Sequence, residues 1–365
     1  MGCPQGAVAG LGVTSLSSSG FWQGRRVLVT GHTGFKGGWL LLMLRQLGAD
    51  VHGFALPPPT KPSLFGLLEL GTVCTHHVGD VRDLAAVEAT MQAADPEIVI
   101  HMAAQPLVRL SYHDPVGTYA TNLMGTVHVM DACRRAGALK AAVMITTDKC
   151  YQNEGWVYGY RETDRMGGYD PYSNSKATCE LAVDAYRRSF FTGECVASLA
   201  SARAGNVIGG GDFADDRLVP DAIRAFTVGE PLMIRNPLSV RPWQHVLEPL
   251  AGYLMLAETL FDDETSACGW NFGPSTDESA SVQTVADMLA AHWGEGAGWR
   301  QDPAEHPHEA STLKLDSTKA RLELGWTPKL PLGEALRLTA DWYRTMHQGG
   351  NLRSLTDRQI ADYLS

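Results

Sequence analysis

Tyr172 and Lys176 are the first pair of side chains whose types and spacing suggest chemistry. They stand four residues apart in Tyr172-Ser-Asn-Ser-Lys176, which places them on one face of a helix. An ammonium group beside a phenol favours the phenolate, and lowering a tyrosine pKa from about 10 to about 7 takes roughly 4 kcal/mol. A phenolate poised near neutrality can take a proton from an alcohol while hydride leaves its carbon. The alternative is an ordinary surface helix, because the Y-x-x-x-K pattern is common.

A polar triplet, Thr147-Asp148-Lys149, precedes this pair, and Thr147 lies 25 residues before Tyr172. The triplet comes directly after a predicted strand over residues 141–146. Ligands of parallel sheets bind outside the carboxyl ends of the strands, so the triplet is placed to join Tyr172 in one site. The alternative is a structural pair formed by Asp148 and Lys149 at a strand end.

A glycine-rich loop follows the first predicted strand, Arg26–Thr30, and opens the first predicted helix. Its pattern is G-x-x-G-x-x-G, which permits a tight turn and a close backbone approach to a pyrophosphate at the helix N-terminus. The loop therefore predicts a dinucleotide site built from Gly31, His32, Thr33, Gly34, Phe35, Lys36 and Gly37. The alternative is a turn or packing motif. A positively charged nicotinamide in this site would help Lys176 to stabilise the Tyr172 phenolate.

The rest of the dinucleotide signature is incomplete. The second predicted strand, Asp50–Ala55, leads into Ala55-Leu56-Pro57, where an acidic residue usually binds a ribose hydroxyl. This loop therefore does not decide between NAD and NADP. Asp80, in Gly79-Asp80-Val81 after the third predicted strand, could accept a hydrogen bond from an adenine amino group. The alternative is a turn aspartate.

The order of the predicted elements indicates the fold class. From Arg25 onward, short apolar runs alternate with helical stretches, such as the long helix predicted over residues 116–136, which is typical of βαβ units and a parallel sheet. We therefore predict an α/β fold with a doubly wound parallel Rossmann sheet and a smaller carboxyl-terminal α/β substrate lobe. Residues 1–20 are predicted to be a disordered leader, residues 21–205 the dinucleotide domain, and residues 206–365 mainly the substrate lobe. The chain is expected to return to the first domain near residues 238–270.

Composition excludes several classes of function. The chain has 365 residues and a formal net charge of −10, which argues against a nucleic-acid binder because an acidic surface repels phosphate backbones. No apolar run approaches the length of a membrane span. The seven cysteines include no C-x-x-C pair, and the short paired tract His306-Pro-His308 has no further ligand at a suitable spacing. We therefore expect no metal site, and a cytoplasmic location with reduced thiols.

Five segments together are similar to the extended short-chain dehydrogenase/reductases of the NAD-dependent epimerase/dehydratase family, over roughly residues 24–345. They are the glycine loop, His101-Met-Ala-Ala-Gln105, Thr121-Asn-Leu-Met-Gly-Thr126, Thr147, and the Tyr172/Lys176 pair. More narrowly, the triplet with Cys150-Tyr151, Gly159-Tyr-Arg-Glu162, Asp170–Lys176 and Arg241-Pro-Trp-Gln-His-Val246 resemble the CDP-D-glucose 4,6-dehydratases. The resemblance implies bound NAD, a nucleotide-sugar substrate in the carboxyl-terminal lobe, and a homodimer built on a helix bundle, or a tetramer.

The resemblance also implies a role for each catalytic residue. Tyr172 would deprotonate the sugar 4-hydroxyl as hydride leaves C4, and Thr147 would hydrogen-bond the 4-oxygen. Asp148 would protonate the departing 6-hydroxyl after the C5 proton is removed, and hydride would return to C6. Related dehydratases carry Glu where Lys149 stands. Lys149 is therefore either the C5 base or a group that stabilises the enolate while another residue, or Tyr172 itself, takes the proton.

Further binding residues follow from the same resemblance and from local sequence. The cofactor-binding residues outside the glycine loop are predicted to be Asp80, Val81, Ala103, Ala104, Gln105, Asn122, Tyr172 and Lys176. Asn206 follows a predicted strand in a second glycine-rich bend, and arginine forks suit a diphosphate. The predicted substrate-binding residues are Asn206, Arg217, Arg235 and Arg241. For the arginines the alternative is a solvated charge or a salt bridge between lobe and sheet.

Two other functions remain open at this point. One is a different sugar-nucleotide dehydratase or epimerase on the same scaffold. The other is a regulatory protein that binds NAD without turnover. The presence of Tyr172, Lys176 and the complete Thr147-Asp148-Lys149 triplet favours an enzyme, because a sensor needs neither a reactive phenol nor an acid.

Overall fold

A seven-stranded parallel sheet forms the centre of the part of the chain that the structure describes. The computed structural model describes residues 16, 20–193, 195, 197–275, 278–304 and 312–365. The strands of this sheet are β1 Arg26–Thr30, β2 Asp50–Ala55, β3 Thr75–Val78, β4 Ile98–His101, β5 Ala141–Ile145, β6 Ser198–Ala204 and β11 Gly269–Phe272. Their order in the sheet is β11-β6-β5-β4-β1-β2-β3, so the order reverses between β1 and β4. The predicted doubly wound parallel sheet is confirmed.

Helices cover both faces of the sheet and form the outer layers of the carboxyl-terminal part. They are α1 Phe35–Gln46, α2 Leu64–Leu67, α3 Leu84–Ala94, α4 Val108–His113, α5 Pro115–Tyr119, α6 Gly125–Cys133, α7 Pro171–Phe190, α8 Leu218–Thr227, α9 Leu247–Asp262, α10 Val282–Trp293, α11 Thr318–Glu323, α12 Leu332–His347 and α13 Leu352–Leu364. Helices α1 and α9 pack on one face, and α3, α6 and α7 pack on the other. Each face of the sheet buries its own apolar core.

The carboxyl-terminal part is built from very short strand pairs beside these helices. The strands are β7 Val207–Ile208, β8 Leu232–Ile234, β9 Val240–Arg241, β10 Gln244–His245, β12 Ala280–Ser281 and β13 Trp299–Gln301. They pair as β7 with β10, β8 with β13 and β9 with β12. Strand β11 belongs to the central sheet, where Gly269–Phe272 pairs with β6. The proposed division at residue 205 stays a prediction, and the leader and the His306–His308 tract lie outside the described residues, apart from Leu16 and Gly20.

A π-helical turn interrupts the helix that the sequence predicts over residues 116–136. Helices α5 and α6 are joined by π-helical residues Ala120–Met124, so the helical chain runs from Pro115 to Cys133 with one widened turn. π-Turns inside α-helices are frequent at functional sites. This turn carries Asn122, which is fully buried, and its side-chain amide binds the loop that follows β4.

Three buried histidines predict acid sensitivity. Burial, with the neighbouring His76, lowers the pKa of His32 to about 4, and burial lowers the pKa of both His101 and His245 to about 3. Because these pKa values lie below the ordinary 6.5, the unfolded chain takes up the protons first as the pH falls. The stabilisation is complete above pH 6.5 and is lost progressively towards pH 3.

We therefore expect the free energy of unfolding, measured in urea, to fall between pH 6.5 and pH 4. Each such histidine contributes a slope of about 1.4 kcal/mol per pH unit. His245→Gln should lower the slope by about one proton, whereas the control His347→Gln, at an exposed position, should leave it unchanged. A slope that is the same in the wild type and His245→Gln would show that His245 does not stay neutral in the folded protein.

Candidate active site

The candidate active site lies at the carboxyl edge of the sheet, where β5 and the first turn of α7 meet. Thr147 and Asp148 follow β5, and Thr147 is the N-cap of the short 3₁₀ turn Asp148–Cys150. Helix α7 begins at Pro171, and its N-cap Asp170 accepts a hydrogen bond from the Ser173 amide at 2.9 Å. Proline at the first helical position and an aspartate cap define this start. The same start orients Tyr172 towards the end of β5.

Asp148 is buried. One oxygen atom of its carboxyl group accepts a hydrogen bond, and the other has no hydrogen-bond partner among the described residues. The Thr147 hydroxyl donates to Asp148 Oδ1 at 2.9 Å, while Asp148 Oδ2 has no hydrogen-bond partner among the described residues. Lys149 Nζ lies 4.0 Å from Asp148 Oδ1, with its side chain about one-third exposed (32%). A buried polar atom without a partner is costly unless a ligand satisfies it. The free oxygen of Asp148 is thus available to a substrate group.

Tyr172 is nearly buried, and the protein alone holds it as a neutral phenol. Burial raises the pKa of Tyr172 to about 12, although the neighbouring Thr147 hydroxyl and the charge of Arg217 act in the opposite direction. The Lys176 ammonium donates to the Ile145 carbonyl oxygen at 3.1 Å. The phenolate expected from the Tyr172/Lys176 spacing therefore requires the additional positive charge of an oxidised nicotinamide.

The glycine loop fits a dinucleotide pyrophosphate. Gly31 has φ +75°, and a Cβ atom there would lie 2.7 Å from the Ala103 amide nitrogen. A Cβ atom on Gly37 would lie 2.3 Å from the Gly31 carbonyl oxygen, so the turn tolerates only glycine at these two positions. Helix α1 begins at Phe35, after the N-cap residue Gly34, without a side-chain cap and without an acidic residue in its first turn. Its free amide groups are those that bind phosphate oxygens at helix N-termini.

The other predicted cofactor residues are distributed around this loop. The Gln105 amide donates to Asn122 Oδ1 at 2.8 Å, and Asn122 Nδ2 donates to Ser175 Oγ at 2.9 Å. Asn122 therefore ties the β4 loop, which carries Ala103 and Ala104, to α7. Asp80 accepts from the Arg82 guanidinium at 2.6 Å and precedes Val81. The direct contacts of these residues with a cofactor stay predictions.

The side chains of two residues of the glycine loop point away from the backbone amides that would bind phosphate. The His32 ring packs on Gly53 of β2, where a Cβ atom would lie 2.4 Å from the ring, and its Nε2 is 2.6 Å from His76 Nδ1. Lys36 Nζ lies 5.8 Å from the centroid of the Tyr253 ring. Burial, with Arg217 and Lys176 nearby, lowers the pKa of Lys36 to about 7. Lys36 thus lies beside three of the candidate catalytic residues Thr147, Asp148, Lys149, Tyr172 and Lys176, which we call the catalytic cluster.

Sequence reasoning did not find Tyr253, which α9 places in the same cluster. Its ring is fully buried, and its hydroxyl has no hydrogen-bond partner in the described chain. Burial and the charges of Asp148 and Tyr172 raise the pKa of Tyr253 well above its ordinary value. Asp148 Oδ2 and the Tyr253 hydroxyl are therefore two unpartnered polar atoms beside the same catalytic residues.

A buried ionic network between α7 and β6 supports the end of β5. Glu180 of α7 accepts from Arg203 Nη2 at 2.7 Å, from Ser201 Oγ at 2.7 Å and from the Thr146 hydroxyl. Burial opposes the ionisation of Glu180, but Arg203 and these hydroxyl groups hold its pKa below the ordinary value. Arg203 also donates to the Tyr151 hydroxyl at 2.6 Å. The network fixes both flanks of the Thr147–Cys150 turn.

The four predicted substrate residues lie on different elements of the carboxyl-terminal part. Arg217 lies beside Tyr172 and Lys36 and pairs with Asp212 at 2.7 Å. Asn206 Oδ1 is buried without a partner in the described chain, which leaves it available to a ligand. Arg241 is buried in β9 and donates to its neighbour's carbonyl, and Arg235 follows β8 near Asp221 of α8. Arg217 thus lies beside Tyr172, a candidate catalytic residue.

Comparison with known proteins gives a consistent set of relatives. Residues 28–339 match the model of the GDP-mannose 4,6 dehydratase family. The chain is 50% identical to the CDP-glucose 4,6-dehydratase of Salmonella typhimurium strain LT2, over 94% of this chain and 98% of that protein. It is 28% identical to a dTDP-glucose 4,6-dehydratase of Streptomyces antibioticus, over 87% of this chain and 92% of that one. The crystal structure of a Thermus thermophilus UDP-glucose 4-epimerase complex with NAD aligns with a TM-score of 0.73 and 26% identity, covering 87% and 99% of the two chains.

Proposed function

Because the chain belongs to the GDP-mannose 4,6 dehydratase family, we propose that it is a hydro-lyase that converts CDP-D-glucose into CDP-4-dehydro-6-deoxy-D-glucose. The relative from Salmonella supports cytidine as the nucleotide, because the likeness extends over nearly the whole length of both chains. The observation that carries the proposal is the buried Asp148, hydrogen-bonded to Thr147 and electrostatically coupled to Tyr172. Alcohol oxidation needs only the phenol, whereas loss of water also needs an acid.

NAD is the cofactor, and in this site it would supply the acceptor for hydride from C4 and the donor of hydride to C6. The uncapped N-terminus of α1 and the Gly31 turn would hold its pyrophosphate. Asn122 and Gln105 would keep the β4 loop against it, and Asp80 would face the adenine. Because hydride returns to the sugar within each turnover, the residues of this chain need only bind NAD and do not need to release it between turnovers.

The side chains of the protein move the protons. Tyr172 takes the proton of the 4-hydroxyl, with Thr147 hydrogen-bonding the same oxygen. Asp148 gives its proton to the 6-hydroxyl, which leaves as water. Lys149, within 4.0 Å of Asp148, takes the C5 proton on its amine nitrogen and gives it back to C5 when C6 is reduced; in between, its ammonium form stabilises the enolate. The Arg217 guanidinium and the NH₂ group of the Asn206 side chain donate hydrogen bonds to phosphate oxygens of the substrate, and the part of the chain after residue 205 contributes most of that binding.

Incubation with separate CDP-, dTDP-, UDP- and GDP-glucose samples tests this proposal. We expect product lighter by one water molecule, formed fastest from CDP-glucose, without accumulation of reduced cofactor. Product of unchanged mass would show an epimerase, and faster dehydration of another nucleotide sugar would change the substrate. A protein that binds NAD but transforms none of the four would be a regulatory protein instead.

The helical layer made by α4, α5, α6 and α7, with the π-turn between α5 and α6, is the surface that we assign to a homodimer. Large apolar side chains of this layer remain exposed, among them Tyr112, Val116, Met124 and Leu181. Exposed apolar groups on packed helices favour helix-bundle association, because association removes them from water.

No helix among the described residues is long and apolar enough to cross a membrane. The cytoplasmic location stays a prediction.

Leu181→Glu should weaken the dimer. Leu181 is 60% exposed, so the charge costs little in the monomer but much in an apolar interface. We expect light scattering to give a lower average mass for this variant at micromolar concentration. Leu322→Glu is the matched control, because Leu322 is 70% exposed on α11. Equal masses for the wild type and both variants would contradict the assigned interface.

A further inference from the structure

His101 is a buried histidine at the end of β4 that takes no part in the proposed proton transfers. Its side chain is 1% exposed, and both of its ring nitrogen atoms have hydrogen-bond partners. Nδ1 lies 2.7 Å from the hydroxyl oxygen of Thr30, its register partner in β1, and Nε2 lies 3.1 Å from the hydroxyl oxygen of Thr126 on α6. The ring therefore connects β1, β4 and α6 at the point where the strand order reverses, which is where dinucleotides bind in such sheets.

The Thr30 hydroxyl group determines which nitrogen atom of His101 carries the proton. Its oxygen accepts hydrogen bonds from the backbone amides of Met102 and Ala103, each at 3.1 Å. A hydroxyl group has two acceptor lone pairs and one hydrogen. Because both lone pairs are occupied, the Thr30 hydroxyl donates its hydrogen to His101 Nδ1. Nδ1 is therefore the unprotonated nitrogen.

The opposite side of the ring gives the same assignment independently. The Thr126 hydroxyl donates its hydrogen to the Asn122 carbonyl oxygen at 2.6 Å, so its oxygen accepts from His101 Nε2. His101 is thus a neutral imidazole with its proton on Nε2. Burial, which lowers the pKa of His101 to about 3, keeps the ring neutral, and a second proton on Nδ1 would compete with the two amide groups for the Thr30 oxygen.

These hydrogen bonds end at backbone groups of the candidate cofactor site. Thr30 directly precedes Gly31, and a Cβ atom on Gly31 would lie 2.7 Å from the Ala103 amide nitrogen. The glycine turn and the loop after β4 are therefore in close contact at this point. The Thr30 hydroxyl holds that loop against the glycine turn through its two amide bonds, and His101 fixes the orientation of the hydroxyl.

We propose that His101 is a positioning residue for cofactor binding: as the Nε2–H tautomer it orients the Thr30 hydroxyl, which sets the spacing between the glycine turn and the loop after β4. Both segments then have the geometry for NAD before it binds, so that little ordering is required on binding. The inference goes beyond the proposed reaction, because it concerns NAD binding alone and does not depend on the substrate.

Nuclear magnetic resonance of the imidazole nitrogen atoms tests the tautomer in protein freed of NAD. The His101 signals, assigned by their absence in His101→Asn, should show a protonated Nε2 and an unprotonated Nδ1. Both signals should stay unchanged from about pH 5 to about pH 8, the range in which an ordinary histidine titrates. A protonated Nδ1, or a change of the His101 signals in this range, would overturn the assignment.

The positioning role is tested by two matched pairs of variants, with NAD binding measured by titration calorimetry. Thr30→Ser retains the hydroxyl that Thr30→Val lacks. Asparagine and leucine have nearly the same shape, but only asparagine offers an acceptor beside Thr30. We expect the NAD dissociation constant to be at least about tenfold higher in Thr30→Val than in Thr30→Ser, and in His101→Leu than in His101→Asn.

Melting temperatures measured without NAD separate this role from a merely structural one. The control Tyr363→Phe loses a buried hydrogen bond on α13, so it should lower the melting temperature and leave NAD binding unchanged. If Thr30→Val and His101→Leu melt at lower temperature but bind NAD as tightly as their partners Thr30→Ser and His101→Asn, His101 only stabilises the fold and the proposal is wrong.

Discussion

Tyr172→Phe is expected to reduce turnover by roughly 10²–10⁴-fold, the range for a lost acid–base group. The variant removes one hydroxyl from a nearly buried ring, so the fold and NAD binding should persist. Without the phenol, the 4-hydroxyl has no base, and hydride cannot leave C4. Steady-state product formation and the absorbance of reduced nicotinamide should therefore fall together.

Tyr363→Phe is the control for this variant. Its hydroxyl is also buried and donates to Glu248 Oε2 at 2.8 Å, but it lies on α13, outside the catalytic cluster. We expect it to lower the free energy of unfolding by about 1 kcal/mol while turnover is retained. Near-normal turnover in Tyr172→Phe would mean that the Y-x-x-x-K spacing is a coincidence on the face of α7.

Asp148→Asn should separate the two halves of the reaction. Oxidation at C4 depends on Tyr172, Thr147 and Lys176, whereas elimination depends on an acid that can release a proton. Asparagine keeps the shape of the carboxyl group and can donate a hydrogen bond, but it cannot give up a proton. Substrate should still reduce bound NAD, while loss of water slows by about 10²-fold or more.

Single-turnover absorbance and product mass, measured on one sample, distinguish the possible roles of Asp148. The control Asp83→Asn changes an aspartate that caps α3, where asparagine caps equally well, and should alter neither step. Unchanged product formation in Asp148→Asn would make Asp148 a bystander. An equal loss of both steps together with a lower melting temperature would make it a structural residue.

Strong periodic patterns in the sequence predict the central sheet. Very short strands and a helix turn that is widened leave no such pattern and are not predicted. Strands β1 and β2 begin and end at the predicted residues because each is a β-rich run bounded by turn residues. The π-turn over Ala120–Met124 was missed, since one widened turn barely alters the apolar pattern of a helix. Strands of two residues, such as β7 Val207–Ile208 and β10 Gln244–His245, are too short to show a period of two.

Residues of the candidate site are predictable where a reactive side chain lies in a recognisable local sequence motif. Thr147, Asp148 and Tyr172 follow from spacing, and the structure places them together. The glycine motif predicts that Lys36 contacts the cofactor, and this stays a prediction; the position of its side chain beside Tyr253 depends on the phase of α1, which the motif does not reveal. Tyr253 carried no signal, because a lone tyrosine in the largely apolar α9 is typical of a buried core.

Transfer of deuterium from C4 to C6 of the sugar is the most direct test of the account. CDP-glucose labelled with deuterium at C4 is converted together with unlabelled substrate, and the products are analysed by mass and by nuclear magnetic resonance. The account predicts that the label appears at C6 of the same molecule that carried it, with one water molecule lost and no reduced NAD released. Label that is retained at C4, exchanged into solvent or released in free reduced cofactor would contradict it.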